Sequence, residues 1–275
     1  MAEFSHSKII YSGVIEKGFV AKTIFYIWKK TMTKRTFAIG DIHGGLKALI
    51  QVLNQLEVTE EDTLIFVGDY VDGWSESAQV LEFLINLSEK INCIFIKGNH
   101  DVWCENWLKT DIVKPRWYLH GGKETIASYE GFSKEEKKQH ICFLEKMPLY
   151  YLDVENRLFL HAGFTAMQGV EKEIFKENFY FDRTLWEMAL AVDKNMDIEH
   201  TNYPKRLQHY SEIYIGHTPT TNFDKTVPMN AVNIWNIDTG AAFRGRVTGL
   251  NIDTKAYFQS DNLPDLYPNE KGRNK

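Results

Sequence analysis

The sequence has few cysteines, no long apolar run and no excess of positive charge. Three cysteines occur among 275 residues, and they form no CxxC pair. We therefore expect reduced thiols and a cytoplasmic protein. No stretch reaches the roughly 18 consecutive apolar residues of a membrane span, so none is predicted. The formal net charge of -5 provides no basic surface for nucleic acid, and we expect no nucleic-acid partner.

The first part of the chain differs in composition from the rest. An apolar, aromatic run over residues 19–28 precedes four basic residues, whereas a signal peptide carries its positive charge before the apolar run. Residues 1–34 are therefore predicted to be an N-terminal extension. Two interpretations are open. The extension forms a helix that packs on the protein body or on a membrane surface, or translation begins at Met32 and the residues before it come from a start placed too far upstream. We favour the second hypothesis because the motif pattern begins just after Met32.

Short apolar runs that stop at a polar cluster recur from Arg35 onward. They have the length and composition of buried strands, and the first three are separated by residues at the i, i+3, i+4, i+7 spacing of amphipathic helices. The runs cover residues 36–39, 63–67, 93–96, 158–160 and 213–215. Strand, helix, strand, helix, strand is typical of a βαβαβ unit with a parallel sheet, so we predict an α/β fold.

One main domain is predicted over residues 35–260. Helical insertions are expected near residues 101–150 and 165–210, where the sequence is charged and rich in aromatic residues. Beyond residue 260 the chain is polar and rich in Asn, Pro and Lys. Residues 261–275 are therefore predicted to be a frayed tail.

Side chains that bind metals follow each of the five apolar runs. Ligands of parallel α/β sheets bind at the carboxyl ends of the strands, and neighbouring glycines allow sharp turns there. The five clusters read Gly40-Asp41-Ile42-His43-Gly44, Gly68-Asp69-Tyr70-Val71-Asp72-Gly73, Gly98-Asn99-His100-Asp101, His161-Ala162-Gly163 and Gly216-His217-Thr218-Pro219. Each cluster alone is weak evidence for metal binding, since a single histidine after a strand more often has a structural role. Five in succession are poorly explained by coincidence.

The donors in these clusters are carboxylates, imidazoles and an amide, without thiolate. Such a set suits manganese, iron or zinc better than a closed structural zinc site. There are too many donors for one ion and about enough for two. We therefore predict two divalent metal ions as cofactors, with manganese favoured over iron or zinc.

The five motifs, in this order, resemble those of the calcineurin-like metallophosphoesterases, and within them the phosphoprotein-phosphatase branch. That branch reads GD-x-HG, GD-x-VDRG, GNH-[ED], H-[GA]-G and GHT, and the resemblance covers residues 35–252. Two further stretches are similar to the bacterial members, which include serine/threonine phosphatases and symmetrical diadenosine tetraphosphatases. They are Gly121-Gly122 with Thr125 and Ser128-Tyr129, and Asn236-Ile237-Asp238-Thr239-Gly240-Ala241. The resemblance implies an α/β (α+β) four-layer sandwich of two mixed β-sheets flanked by helices.

The resemblance also implies a role for each matching residue. One metal would be bound by Asp41, His43 and Asp69, and the second by Asp69, Asn99, His161 and His217, with Asp69 bridging. A metal-bridging hydroxide would attack phosphorus, and His100, oriented by Asp72, would be the general acid that protonates the departing oxygen.

One position departs from the family pattern. Where the eukaryotic-type motif has a phosphate-binding arginine, this sequence has Gly73. Arg183 is the favoured replacement, and Arg244 and Arg246 are other candidates; for each of them a solvated surface charge is the competing interpretation. The substrate is therefore less well defined than the metal chemistry.

Three functions fit the motifs. The favoured one is a serine/threonine phosphoprotein phosphatase that hydrolyses phosphomonoesters of a phosphorylated protein. The alternative is a symmetrical dinucleoside polyphosphate (Ap4A) hydrolase, which would act on a small phosphate-containing substrate. The third is a non-catalytic scaffold of the same fold, and it is disfavoured because every ligand position and the His–Asp pair are filled.

Overall fold

The computed structural model describes residues 34–274, in which two five-stranded mixed sheets lie between helices. The predicted extension over residues 1–34 and the alternative start at Met32 fall outside the described residues, except for Lys34. The described residues from Arg35 onward form one compact unit. In the described part of the chain, no helix is long and apolar enough to cross a membrane.

The first sheet contains the predicted βαβαβ unit. Its strand order is β10-β9-β1-β2-β3, with β1, β2 and β3 parallel to one another and β9 and β10 antiparallel. The strands are β1 (Thr36–Ile39), β2 (Thr63–Phe66), β3 (Asn92–Phe95), β9 (Thr248–Asn251) and β10 (Tyr257–Gln259). Because β1, β2 and β3 are parallel, their carboxyl ends meet at one edge of the sheet.

The second sheet is built in the same mixed manner. Its order is β4-β5-β6-β8-β7, with parallel pairs β5·β6 and β6·β8 between antiparallel edges. The strands are β4 (Tyr150–Leu152), β5 (Arg157–Leu160), β6 (Glu212–Ile215), β7 (Met229–Ala231) and β8 (Ile234–Asn236). The parallel pair β5·β6 brings the ends of the fourth and fifth predicted strands together.

Ten α-helices are present among residues 34–274. The longer ones are α1 (Leu46–Leu56), α2 (Ser77–Ser88), α3 (Asn99–Thr110), α6 (Lys134–Glu145) and α8 (Thr184–Ala191). The short ones are α4 (Pro115–Trp117), α5 (Lys123–Ser128), α7 (Asn178–Phe181), α9 (Lys205–Gln208) and α10 (Leu263–Leu266). A π-helical segment, Tyr118–Gly122, joins α4 to α5. The segment 101–150 is thus largely helical, whereas 165–210 contains α7, α8 and α9 separated by turns and irregular chain.

Strand alternation produces the four layers. In β1, Phe37 and Ile39 face a core shared with the helices, while Ala38 faces a different core. That second core joins the two sheets, because it also contains Phe159 of β5 and Tyr214 of β6, whose rings stack 4.7 Å apart. A third core covers the outer face of the second sheet. The predicted sandwich of two mixed sheets flanked by helices is confirmed.

The C-terminal segment differs from the frayed tail predicted for residues 261–275. Residues 261–274 include α10, and Leu263 and Tyr267 are both buried. The Tyr267 ring stacks on Trp74 with centroids 5.3 Å apart. Polar composition was a poor guide here, because two well-placed apolar side chains are enough to dock a short segment.

Candidate metal centre

The backbone is left-handed at four of the predicted site residues. His43, Asp69, Asp72 and His217 have φ between 52° and 74°, a region that costs energy for residues other than glycine. Such conformations occur where the surrounding structure fixes them, often at functional sites. They turn the chain sharply just after β1, β2 and β6, so that the side chains converge in front of the sheets.

Asp101 connects the loops that follow β2 and β3. Its carboxylate accepts hydrogen bonds from the backbone N–H groups of Asp69 (2.9 Å), Tyr70 (2.9 Å) and Gly98 (2.7 Å). Asp69 in turn accepts from the backbone N–H of His100 at 3.0 Å. A buried carboxylate with three N–H donors is well satisfied, and it fixes two strand ends relative to each other.

The first group of metal-type donors consists of Asp41, His43 and Asp69. His43 Nε2 lies 3.7 Å from Asp41 Oδ2 and 3.5 Å from Asp69 Oδ2. Its Nδ1 lies 2.9 Å from the carbonyl oxygen of Asp72. Because a carbonyl can only accept, Nδ1 carries the proton, and the Nε2 lone pair points to the carboxylates.

The second group consists of Asp69, Asn99, His161 and His217. His161 Nε2 lies 3.3 Å from Asp69 Oδ2 and 3.2 Å from Asn99 Oδ1. His217 Nδ1 lies 2.9 Å from Asn99 Oδ1 and 3.2 Å from His161 Nε2. Asp69 therefore contacts members of both groups, the position that the resemblance implies for a bridging ligand.

Burial and mutual contact shift the pKa values of these groups strongly. Burial raises the pKa of Asp41 to about 7. Burial also opposes ionisation of Asp69, but the neighbouring His161 and His100 outweigh it and its pKa lies well below the usual range. Burial opposes a charge on His161 as well, yet Asp69 raises its pKa to about 10. Asp69 thus favours a positive charge on the neighbouring His161, and a bound cation would meet the same negative charge.

The donor set fits divalent cations. His161 Nδ1 lies 2.8 Å from the carbonyl oxygen of Val67 and therefore carries a proton, so its Nε2 faces Asp69. Asp69 favours a second proton on this Nε2, at the position where a metal ion would bind instead. Within the described residues, His217 Nε2 is buried without a hydrogen-bond partner. Crowded lone pairs and carboxylates repel one another unless a cation lies between them, and histidine ligands fixed by a carbonyl are typical of metal sites.

A hydrogen-bonded network surrounds His100 and Asp72. His100 Nδ1 lies 2.6 Å from Asp72 Oδ2, and Trp117 Nε1 donates to the same oxygen at 2.7 Å. Thr125 Oγ1 donates to Asp72 Oδ1 at 2.6 Å. Burial raises the pKa of Asp72 to about 7, against the effect of these hydrogen bonds. Sequence analysis found the pair and listed Thr125, but it gave Trp117 no role.

A cavity of about 430 Å³ opens onto both donor groups. Its lining includes His43, Asp69, Asn99, His100 and His217. Three arginines (Arg116, Arg183 and Arg273) and three aromatic side chains (Trp103, Phe181 and Phe243) complete most of the wall. The predicted Arg183 is therefore at the cavity, whereas Arg244 and Arg246 are not among its lining residues. Asp238 and Arg273 also line it and were not predicted as site residues.

Residues 34–243 match the profile of the calcineurin-like phosphoesterases, which covers more than half of the chain. The chain belongs to this family. It is therefore a phosphoester hydrolase of a family that uses divalent metal ions, and its His and Asp side chains are grouped as metal binding requires. Two groups, His43–Asp69–His100 and Asp69–His161–His217, each present ligand atoms within 4.8 Å of one another.

Several curated relatives carry one name, bis(5'-nucleosyl)-tetraphosphatase PrpE (asymmetrical). The protein from Bacillus subtilis strain 168 is 29% identical over 255 residues, which is 86% of this chain and 96% of the relative. The protein from Oceanobacillus iheyensis is 28% identical over 239 residues, covering 80% and 89%.

Solved structures share the fold at low sequence identity. A candidate diadenosine tetraphosphatase superposes with a TM-score of 0.56 at 16% identity, covering 83% of this chain and 94% of that one. A Saccharomyces cerevisiae serine/threonine phosphatase with similarity to human PP5 has a TM-score of 0.53 at 13% identity, covering 84% and 81%. These likenesses support the fold and do not select a substrate.

Proposed function

We propose that the protein hydrolyses a phosphoanhydride bond of a dinucleoside polyphosphate, in the manner named for its asymmetrical tetraphosphatase relatives. This preference differs from the phosphoprotein phosphatase favoured by the motifs alone. The observation that carries it is the cavity, which joins the metal-type donors to three arginines and three aromatic side chains. A single phosphoserine has one phosphate and no base, so it would leave most of these groups unused.

Two divalent ions would be held in the two donor groups. Asp41, His43 and Asp69 would bind one, and Asp69, Asn99, His161 and His217 the other, with manganese as the favoured metal over iron or zinc. When bound, such ions supply an activated water and neutralise charge on the phosphoryl group. Asp101 keeps the shared ligand Asp69 in place through its backbone N–H.

His100 would act as the general acid. Trp117 Nε1 can only donate, so Asp72 Oδ2 is an acceptor, and the facing His100 Nδ1 carries a proton. Burial lowers the pKa of His100 well below its usual value. An ionised Asp72 would oppose this shift by stabilising the imidazolium, whose Nε2 proton would then move to the departing oxygen. Asp72 is thus a positioning residue that acts through His100.

The cavity wall suits a nucleotide with several phosphates. Arginines form charge-assisted, bidentate hydrogen bonds with phosphate oxygens. Trp103 packs edge-on against His100 at 4.9 Å and contacts Phe181 at 5.8 Å between ring centroids. Phe181 is exposed on one side, so a purine base can stack next to the reacting phosphates.

Phosphate release and product analysis in the presence of Mn²⁺ would test this proposal. Diadenosine tetraphosphate is compared with phosphoserine, phosphothreonine and phosphotyrosine peptides, each with and without chelator. We expect chelator-sensitive cleavage of the dinucleotide to ATP and AMP. Two ADP would identify the symmetrical reaction, and a preference for phosphopeptides would identify a phosphatase. Bound metal without turnover on any substrate would instead support a scaffold.

A further inference from the structure

Arg273 presents an unsatisfied hydrogen-bonding group next to the candidate metal centre. It lines the cavity together with His43, Asp69 and His100. Its Nε atom is buried and has no hydrogen-bond partner among residues 34–274. A buried guanidinium nitrogen without an acceptor is costly, so an acceptor from outside the described chain is expected there.

The C-terminal segment is anchored at several points that hold Arg273 in place. Glu270 accepts hydrogen bonds from Ser75 N (2.9 Å) and Ser75 Oγ (2.7 Å). The Arg273 backbone N–H donates to the carbonyl oxygen of Ala242 at 2.9 Å. Its guanidinium carbon lies 5.1 Å from the centre of the Phe243 ring. The arginine is therefore supported by backbone and aromatic contacts, and its donors are left for the cavity.

Gly73 provides the space through which this side chain passes. A Cβ atom built at Gly73 would lie 3.4 Å from Arg273 Cγ and 3.7 Å from Arg273 Cδ. The arginine stem thus lies directly over the glycine, and a long side chain at position 73 would occupy the same volume. The backbone at Gly73 has φ of +122°, which also disfavours any other residue.

Four carboxylates influence Arg273 from a distance without pairing with it. Burial lowers its pKa, while Asp69, Asp72, Asp238 and Asp41 counteract this effect. Among the described residues, no carboxylate is placed within ion-pair distance of its guanidinium. Metal cations bound by Asp41 and Asp69 would cancel the attraction of these two carboxylates for the arginine, which leaves a phosphoryl group next to the metals as a partner for it.

We infer that Arg273, delivered by the C-terminal segment across Gly73, binds the phosphoryl group of the substrate that faces the metal centre. The inference rests on the proposed function, because it assumes a phosphate substrate at this site. It identifies a substrate-binding residue that lies about 200 positions away in sequence from the motif loop it covers. It also makes the docked segment 261–274 a requirement for substrate binding.

The test measures binding of inorganic phosphate to the metal-loaded full-length protein by titration calorimetry, which needs no turnover. Arg273→Ala is compared with Arg273→Lys and with Arg244→Ala, whose exposed arginine lies outside the cavity lining. Metal content and the midpoint of thermal unfolding are recorded for each variant. Loss of a charged phosphate contact corresponds to roughly 10- to 100-fold weaker binding.

We expect Arg273→Ala to bind inorganic phosphate more weakly by this factor while its metal content stays normal. Arg273→Lys should recover part of the phosphate affinity, and Arg244→Ala should match the unchanged protein. In steady-state assays the same factor should appear in KM for the dinucleotide rather than in kcat alone. Equal phosphate affinity of Arg273→Ala and the unchanged protein, or no phosphate binding at all, would overturn the inference. Weakened phosphate binding with no turnover of dinucleotides would instead support it while contradicting the proposed function.

Discussion

Asp72 Oδ2 lies 2.6 Å from His100 Nδ1 and 2.7 Å from Trp117 Nε1. One oxygen of a buried carboxylate thus meets the proposed general acid and an indole donor, while Thr125 donates to the other oxygen. Such a network orients the imidazole and fixes which nitrogen faces Asp72. We therefore expect metal binding to depend on one set of side chains and proton transfer on another.

Replacing His100 by asparagine should separate these two roles. We expect His100→Asn to retain its metals and to lose roughly 100-fold or more in kcat, the scale of general-acid catalysis. Steady-state turnover of diadenosine tetraphosphate and metal analysis of the same sample would check this. His200→Asn, an exposed histidine outside the cavity lining, is the matched control and should keep normal turnover. Near-normal kcat for His100→Asn would refute the assigned role.

Replacing Trp117 by phenylalanine tests whether Asp72 depends on the indole donor. The variant keeps a large aromatic ring but loses the 2.7 Å hydrogen bond to Asp72. We therefore expect kcat to fall roughly tenfold, a factor that corresponds to the free energy of one hydrogen bond to a charged group. KM should change little. Trp107→Phe is the matched control, because the Trp107 ring packs 5.5 Å from Trp117 and makes no hydrogen bond to Asp72. Equal losses in both variants would show that packing alone matters.

The sequence predicted the parts of the site that follow strands, and it missed the parts that depend on tertiary docking. Apolar runs ending in Asp41, Asp69 and Asn99 predicted the strands and placed metal-type donors at their ends, since burial and side-chain chemistry are local patterns. The short strand β10 and the packing of residues 261–274 were missed because their apolar residues are few. Arg273 carries no local signal: tertiary contacts place it at the cavity, among them the stacking of Tyr267 on Trp74 and the hydrogen bonds of Glu270 with Ser75.

Gly98 is predicted to control the position of Asp69. Its φ of -92° is accessible to any residue, so Gly98→Ala introduces no backbone strain. The new Cβ would overlap the carboxylate and backbone nitrogen of Asp69. We therefore expect loss of bound metal, measured as metal per protein after dialysis. Gly131→Ala is the control: its φ is +87° but nothing lies within 4 Å of the added Cβ, so it should lower stability by about 1 kcal/mol and retain metal.

Removing the metals should destabilise the folded protein. Metal binds the assembled donors and not the unfolded chain, so binding at about 100 times Kd adds about 2.7 kcal/mol to the free energy of unfolding. For a domain of this size that corresponds to a decrease of roughly 5–10 °C in Tm on addition of a chelator. Scanning calorimetry with and without chelator checks it. Asp69→Asn should show a much smaller chelator effect, and an unchanged Tm for the unmodified protein would contradict two bound ions.

Asp62 lies at the end of β2 opposite the candidate metal centre, and its carboxylate should make the stability of the fold depend on pH. Its carboxylate is almost fully buried and accepts hydrogen bonds from Arg35 Nη2 at 2.6 Å and from the Thr59 backbone N–H at 2.8 Å. Burial opposes its ionisation, but these contacts outweigh burial and lower its pKa. Because the pKa is lower in the folded than in the unfolded chain, the stabilisation is fully present above about pH 4 and is lost as the pH falls below that value.

Urea unfolding at pH 7 and pH 3 would measure this effect for Asp62→Asn. We expect a loss of about 1–2 kcal/mol in the free energy of unfolding at pH 7, toward the lower end because Arg35 is one-third exposed. The difference from the unchanged protein should shrink at pH 3, where the native carboxylate begins to protonate. Asp261→Asn, an exposed carboxylate paired with Gln51, is the matched control and should differ by less than about 0.5 kcal/mol at either pH. A difference for Asp62→Asn that stays constant from pH 7 to pH 3 would mean that shape, rather than charge, determines its contribution.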